Sequence, residues 1–175
     1  AAVSTGDTVY RDTSFPGGIL TRVAKSHVRI GTFEYFASLN DFESVQTLSD
    51  YCINRLYPDC LNSTDKYLTF LKSVVEKQIN LIAKWMSVGF IHGVMNTDYI
   101  SISGETIDFG PCAFMEAFNP NQVFSAIDAN GRYRYSKQPE ILLWNLMRLA
   151  ETLLPLIDKN QEKAIEKVTV ILKDF

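Results

Sequence analysis

Two aspartates in this chain stand close together in sequence and in settings suited to phosphate chemistry. Asp98 closes the run His92-Gly-Val-Met-Asn-Thr-Asp98, and Asp108 opens Asp108-Phe109-Gly110. Transfer of a phosphoryl or nucleotidyl group needs this pair of functions. One carboxylate orients or deprotonates a hydroxyl nucleophile, and another holds Mg²⁺ against the phosphates. Neither tripeptide-scale feature is specific alone, because Asp-Phe-Gly is a common turn and a lone loop aspartate can be a cap. His92 has two readings, a buttress for the loop or a satisfied core histidine.

The elements that must position these groups follow from spacing and turn residues. Pro16-Gly17-Gly18 opens the apolar and β-branched run Ile19–Ala24, which predicts a strand. A short helix is expected over Thr32–Leu39. Asp41 then caps a helix in which Phe42, Val45, Leu48, Cys52 and Leu56 recur at helical spacing, ending before Pro58. After the polar turn Asn62–Asp65 comes a longer helix whose apolar face carries Leu71, Val74, Val75, Ile79, Ile82, Trp85 and Met86, with Gly89 ending it. Ile100-Ser-Ile-Ser-Gly104-Glu-Thr-Ile107 alternates apolar and polar residues across a glycine, the mark of a small hairpin between Asp98 and Asp108.

Beyond Pro111 the chain is irregular, with turn signals at Asn119-Pro120 and Asn130-Gly131, until Pro139 begins a helix. Leu142, Leu143, Leu146, Met147, Ala150, Leu153 and Leu154 form its core stripe, and a final amphipathic segment carries Ala164, Val168, Ile171 and Leu172. The fold class is α+β, mostly α.

Composition narrows the partners. With 175 residues, 46% apolar and 21% charged, the chain has single-domain size and enough material for a core. A formal charge of −3 without a Lys/Arg cluster argues against a nucleic-acid partner. The longest uncharged stretch, Trp85–Thr97, is far short of the ~20 apolar residues that span a bilayer, so a soluble protein without a membrane partner is expected. The 3 cysteines lack CxxC spacing and fit reduced intracellular thiols. Ala1-Ala2-Val3 carries neither an initiator Met nor a signal-peptide pattern, which reads as a fragment or a processed chain.

In the order helix, loop Asp98, hairpin, Asp108-Phe-Gly, the chain resembles the catalytic loop and metal motif of the protein-kinase fold, at tighter spacing. More specifically, His92–Asp98, Ser103-Gly-Glu-Thr-Ile-Asp-Phe-Gly-Pro-Cys-Ala-Phe-Met-Glu116 and Gly131-Arg-Tyr133 resemble the selenoprotein O family. Pro16–Ala24, His27-Val-Arg-Ile-Gly-Thr-Phe-Glu-Tyr-Phe36, Gln138-Pro139, Trp144-Asn-Leu146 and Leu153-Leu-Pro155 continue the likeness along nearly the whole chain.

The resemblance implies a partial, kinase-like catalytic lobe over 1–175, with a small β-hairpin and with the nucleotide lobe largely absent. Residues 1–30 would form a strand and hinge region, 90–110 the catalytic loop, hairpin and metal motif, and 139–175 the C-terminal helices. It implies transfer of AMP from ATP to Ser, Thr or Tyr hydroxyls of protein substrates, with the nucleotide flipped relative to ordinary kinases. Asp98 would be the catalytic base. Asp108 would ligate Mg²⁺ (or Mn²⁺) at the nucleotide, and Arg22 and Arg29 would bind the ATP phosphates, as guanidinium chemistry allows. The compartment implied is intracellular: cytoplasmic in a bacterium, mitochondrial in a eukaryote.

Two departures set the alternative. Where the family places a metal-binding Asn after the catalytic Asp, this chain has Tyr99, and a neutral phenol is a poor ligand for a hard cation. In the family the nucleotide lobe, with its ATP-binding Lys and acidic partner, lies upstream of the segments matched here, and residues 1–16 offer no convincing candidates, so a chain with half of the ATP cleft missing is expected. A weak or inactive nucleotide-binding pseudoenzyme is therefore the alternative to an adenylyltransferase fragment. An ordinary phosphotransferase moving the γ-phosphate is a third reading, and the absence of a Gly-x-Ser-x-Gly elbow disfavours a serine hydrolase.

Overall fold

Asp41 caps a helix as its sequence position predicts: its Oδ1 accepts from the Ser44 backbone N–H at 3.0 Å, and its Oδ2 accepts from the Ser44 hydroxyl at 2.6 Å. These bonds, the hydroxyl foremost, hold the Asp41 carboxyl below the usual carboxylate range. The computed structural model in which this is seen describes residues 1–173 and 175. Chain order runs β1 (Ala2–Tyr10), β2 (Ser14–Leu20), α1 (Ile30–Ser38), α2 (Phe42–Leu56), α3 (Lys66–Ser87), β3 (Phe90–Ile91), β4 (Ala113–Phe114), α4 (Gln138–Ile157) and α5 (Gln161–Lys173). Short 3₁₀ turns occupy Pro58–Asn62, Thr97–Tyr99 and Tyr135–Lys137. The class is α+β, with two small two-stranded sheets.

The helices bury the stripes their periodicity marks. α3 buries Phe70, Leu71, Val74, Val75, Ile82 and Trp85, and among them one polar side chain, Gln78. It stops at Ser87, and Gly89, at φ 68°, takes the left-handed turn that sends the chain into β3. α4 buries Leu142, Leu146, Leu149 and Leu153, each worth roughly 1.5–3 kcal/mol relative to exposure. Met147, expected on that stripe, is instead 42% exposed, and Leu149 takes the inward position. Pro155 lies inside the last turn of α4, which ends soon after at Ile157. α3 packs on α4 and α5, and α4 also meets α1 and α2, so α4 is the central brace.

The strands depart from expectation. Pairing of the Ile19–Ala24 run ends at Leu20, and its partner is β1, where the sequence gives no strand signal. Gly17-Gly18 lies within β2 rather than before it. A Cβ at Gly17 would stand 3.1 Å from both the Asp7 carbonyl and the Thr5 hydroxyl oxygens, so a bare glycine lets the ribbon close across its register shift. Apart from Gly17, every residue of the ribbon is exposed.

The expected hairpin over 100–107 shrinks to one antiparallel bridge, Ile100 to Thr106. Its alternation marks no wet face: Ser101 and Ser103 are buried along with Ile100 and Ile102. The two serine hydroxyls lie 2.8 Å apart, and Ser103 donates to Glu105 at 2.7 Å. Beside this turn, β3 pairs with β4 through Phe90 to Phe114 and Ile91 to Ala113.

Candidate active site

A strand-like contact brings the distant candidates together. Residues 28–30 run antiparallel to 100–102: Ile30 N–H donates to the Ile100 carbonyl at 3.1 Å, Ile102 N–H donates to the Val28 carbonyl at 2.9 Å, and Arg29 bridges Ser101. The segment carrying the arginines is thus zipped onto the segment between the two aspartates. The turn is anchored from beneath, where Gln78 Nε2 donates to the Ser101 carbonyl at 2.6 Å and the Tyr57 hydroxyl donates to the Ile102 carbonyl at 2.5 Å. Trp85 Nε1 donates to the Thr106 hydroxyl at 2.9 Å.

Arg22, Arg29 and Asp108 meet. Arg22 Nη1 pairs with Asp108 Oδ1, and Arg29 Nη1 lies 3.8 Å from Oδ2, while the Asp108 side chain is only 15% exposed. Asp108 sits at φ 55°, a left-handed conformation that aspartate tolerates better than most residues. Its carbonyl accepts from Gly110 N–H at 2.8 Å, a tight turn that leaves Phe109 exposed. Two guanidiniums on one carboxylate make a cluster with one net positive charge, suited to an anion bearing its own cation.

Asp98 is placed differently. It is exposed in the 3₁₀ turn Thr97–Tyr99, and Asn96 Oδ1 accepts its backbone N–H at 3.0 Å. Its carboxylate lies against Gly31, at the start of α1 and two residues from Arg29. Asp98 and the arginine cluster are therefore linked through the first turn of one helix.

His92 combines its two readings. It is fully buried, its Nε2 lies 2.7 Å from the Ile107 carbonyl, and Trp85 stacks on its ring at 5.4 Å. A neutral ring donating from Nε2 braces the peptide just before Asp108. Its Nδ1 is then buried without a hydrogen bond, and only a protonated ring could use the nearby Val94 carbonyl. Burial lowers its pKa, with the Ile107 and Val94 carbonyls partly opposing. Tyr99 packs edge-on against the same ring at 6.2 Å.

Several supports escape a motif search. Gln138, fully buried at the start of α4, accepts from His92 N–H at 3.0 Å and donates to the Phe90 carbonyl at 2.9 Å. Asn145 donates to the Met95 and Ile141 carbonyls, each at 2.8 Å. On the arginine side, Glu105 accepts Lys25 N–H at 2.9 Å, while Arg55 forks onto the Lys25 carbonyl at 3.2 and 3.1 Å. The visible signal for Gln78, Gln138 and Asn145 is a polar residue at an inward position of an apolar helix; Arg55 and Glu105 carry no such signal.

The sequence has close relatives. A family model described as Protein adenylyltransferase SelO matches residues 1–173. A protein named Protein nucleotidyltransferase YdiU from Agrobacterium fabrum is 57% identical over 175 residues, covering 100% of this chain and 36% of that protein. Proteins of the same name from Bradyrhizobium diazoefficiens and Rhizobium etli are 57% and 53% identical over the whole chain, which covers 36% and 35% of them. The chain thus spans about a third of the length of these bacterial relatives. Among the described residues, no helix is long and apolar enough to cross a membrane. A match running from the first residue of the β1–β2 ribbon through α5 leaves no element outside it, and the chain belongs to the SelO family of protein adenylyltransferases.

Proposed function

We propose that this chain is the kinase-like catalytic lobe of a protein adenylyltransferase, 1–175 acting as one partial domain, which moves AMP from ATP to Ser, Thr or Tyr hydroxyls of proteins. The observation that carries the reading is the convergence of Arg22 and Arg29 on Asp108 in a chain matched end to end by an adenylyltransferase family. In this reading Asp98 takes the proton of the acceptor hydroxyl while the hydroxyl oxygen bonds to the α-phosphorus. The bond from that phosphorus to the bridging oxygen breaks, and pyrophosphate leaves against Arg22 and Arg29. Fixed positive charge at the leaving group supplies stabilisation where charge develops.

The donor chemistry fits a cation held chiefly by substrate. Asp108 offers one partly buried carboxylate, and among the described residues no group of three or more His, Cys, Asp or Glu side chains converges to form a cage. Mg²⁺ is ordinarily held by one or two carboxylates together with phosphates and water, so Asp108 would bind it (or Mn²⁺) with the nucleotide. The metal would neutralise phosphate charge. On arrival of the nucleotide, the arginines exchange Asp108 for phosphate oxygens. In this reading the protein works in the cytoplasm, which the bacterial source of the relatives supports.

One observation favours a second reading. Tyr99 stands beside Asp98 with its ring against His92, adding no hard oxygen ligand, as in a nucleotide-binding protein without turnover.

The test feeds the protein, as the cell makes it, ATP labelled at either the α or the γ phosphate, with Mg²⁺ or Mn²⁺. The expected result is α-label on protein, reduced on the order of 10²–10⁴-fold by Asp98→Ala. Transfer of γ-label instead makes the protein a phosphotransferase, and nucleotide binding without either transfer makes it the binding protein.

A further inference from the structure

We propose that Gly31 is a positioning residue for Asp98, its missing side chain being the space in which the carboxylate sits. The proposal rests on the reading of Asp98 as the base. Gly31 falls in the first turn of α1, and its backbone is not in the left-handed region, so conformation does not call for glycine there. Helix propensity argues for alanine. What alanine would take up is the carboxylate's space: a Cβ at Gly31 would overlap Asp98 Oδ1 and stand 3.1 Å from its Cγ and 3.4 Å from its backbone nitrogen. Gly110, beside Asp108, differs, since its nearest neighbour would be 4.0 Å from an added Cβ.

Neither backbone can retreat cheaply. Ile30 N–H is bonded to the Ile100 carbonyl at 3.1 Å, which ties the residue before Gly31 to the second residue after Asp98. Asn96 Oδ1 holds Asp98 N–H at 3.0 Å, and Ile30 is fully buried. The group free to yield is the carboxylate, by rotation of its side chain. A methyl group at Gly31 therefore leaves the fold standing and turns the base away.

The experiment makes Gly31→Ala, Asp98→Ala and the double variant in the protein as the cell makes it. For Gly31→Ala, a melting temperature at or above that of the parent is expected, with the Asp98 carboxylate displaced in a crystal structure of the variant. Its kcat should fall about 100-fold with the KM for ATP nearly unchanged, the signature of a reacting group misplaced by ~1 Å. No further loss is expected on adding it to Asp98→Ala. A carboxylate that stays in place, or a kcat within about twofold of the parent while Asp98→Ala is inactive, overturns the proposal. If Gly31→Ala melts lower instead, the double variant must recover the loss, because the overlap is gone; failure to recover equally overturns it. Should Asp98→Ala transfer as well as the parent, the reading of Asp98 as base falls, while the Gly31→Ala structure still decides the contact.

Discussion

Replacing Gln138 with leucine should weaken the fold by an amount that follows from its bonds. The carboxamide is completely buried and serves both ends of the β3 edge, donating to the Phe90 carbonyl at 2.9 Å and accepting His92 N–H at 3.0 Å. Leucine fills much the same volume but leaves two buried backbone groups without partners. Each such orphan costs about 1–3 kcal/mol, and the added apolar surface offsets part of that, for a net loss of about 2–4 kcal/mol. In a chain of this size that lowers the melting temperature by roughly 5–15 °C. Gln138→Glu should be worse at neutral pH, since a carboxylate cannot donate to Phe90. It should recover on acidification, because a buried acid binds its proton more tightly folded than unfolded and regains the donor. Urea unfolding followed by circular dichroism measures both. A Gln138→Leu protein within about 1 kcal/mol of the parent, at unchanged m-value, refutes the assignment of these two bonds as the support of β3.

Two further outcomes follow from the same region. Because burial holds the His92 pKa below its ordinary value, the unfolded chain takes up the proton first. Stability is therefore full above about pH 6.5 and declines below it, by at most about 1.4 kcal/mol per pH unit for this one proton. His92→Gln should remove that component; parallel losses in both proteins between pH 7 and 5.5 would count against it. On the proposed adenylyltransferase reading, Tyr99→Asn should raise metal-dependent AMP transfer by supplying an oxygen ligand next to Asp98, measured as the Mg²⁺ concentration for half-maximal rate. An unchanged metal requirement and rate would refute the role given to that position.

Much of this arrangement was legible in the chain, for identifiable reasons. Asp41, Pro58, Gly89 and Pro139 mark helix ends through local chemistry, and the stripes on α3 and α4 are long enough for periodicity to be decisive. The β3–β4 pairing was not legible, since two-residue strands carry no period. The turn after Asp98 misled because buried, hydrogen-bonded Ser101 and Ser103 mimic a solvent face. At the candidate site, it is the family resemblance and not spacing that picks out Arg22 and Arg29 along with Asp108, and the three side chains meet. Their meeting depends on the pairing of 28–30 with 100–102, a long-range register that spacing cannot specify. Gly31 was invisible for a similar reason, as an unoccupied volume is a property of two segments together.

The stack of Trp85 on His92 also has an optical consequence. The chain has 2 tryptophans in contrasting surroundings. Trp85 is buried beside an imidazole, whereas Trp144 is 37% exposed beneath the Arg132 and Arg148 guanidiniums. Their emission should separate by wavelength, the buried indole to the blue. A neutral imidazole leaves an indole bright and an imidazolium quenches it, so the blue component reads the charge on His92 without any label. The ring that braces the peptide before Asp108 thus carries its own lamp.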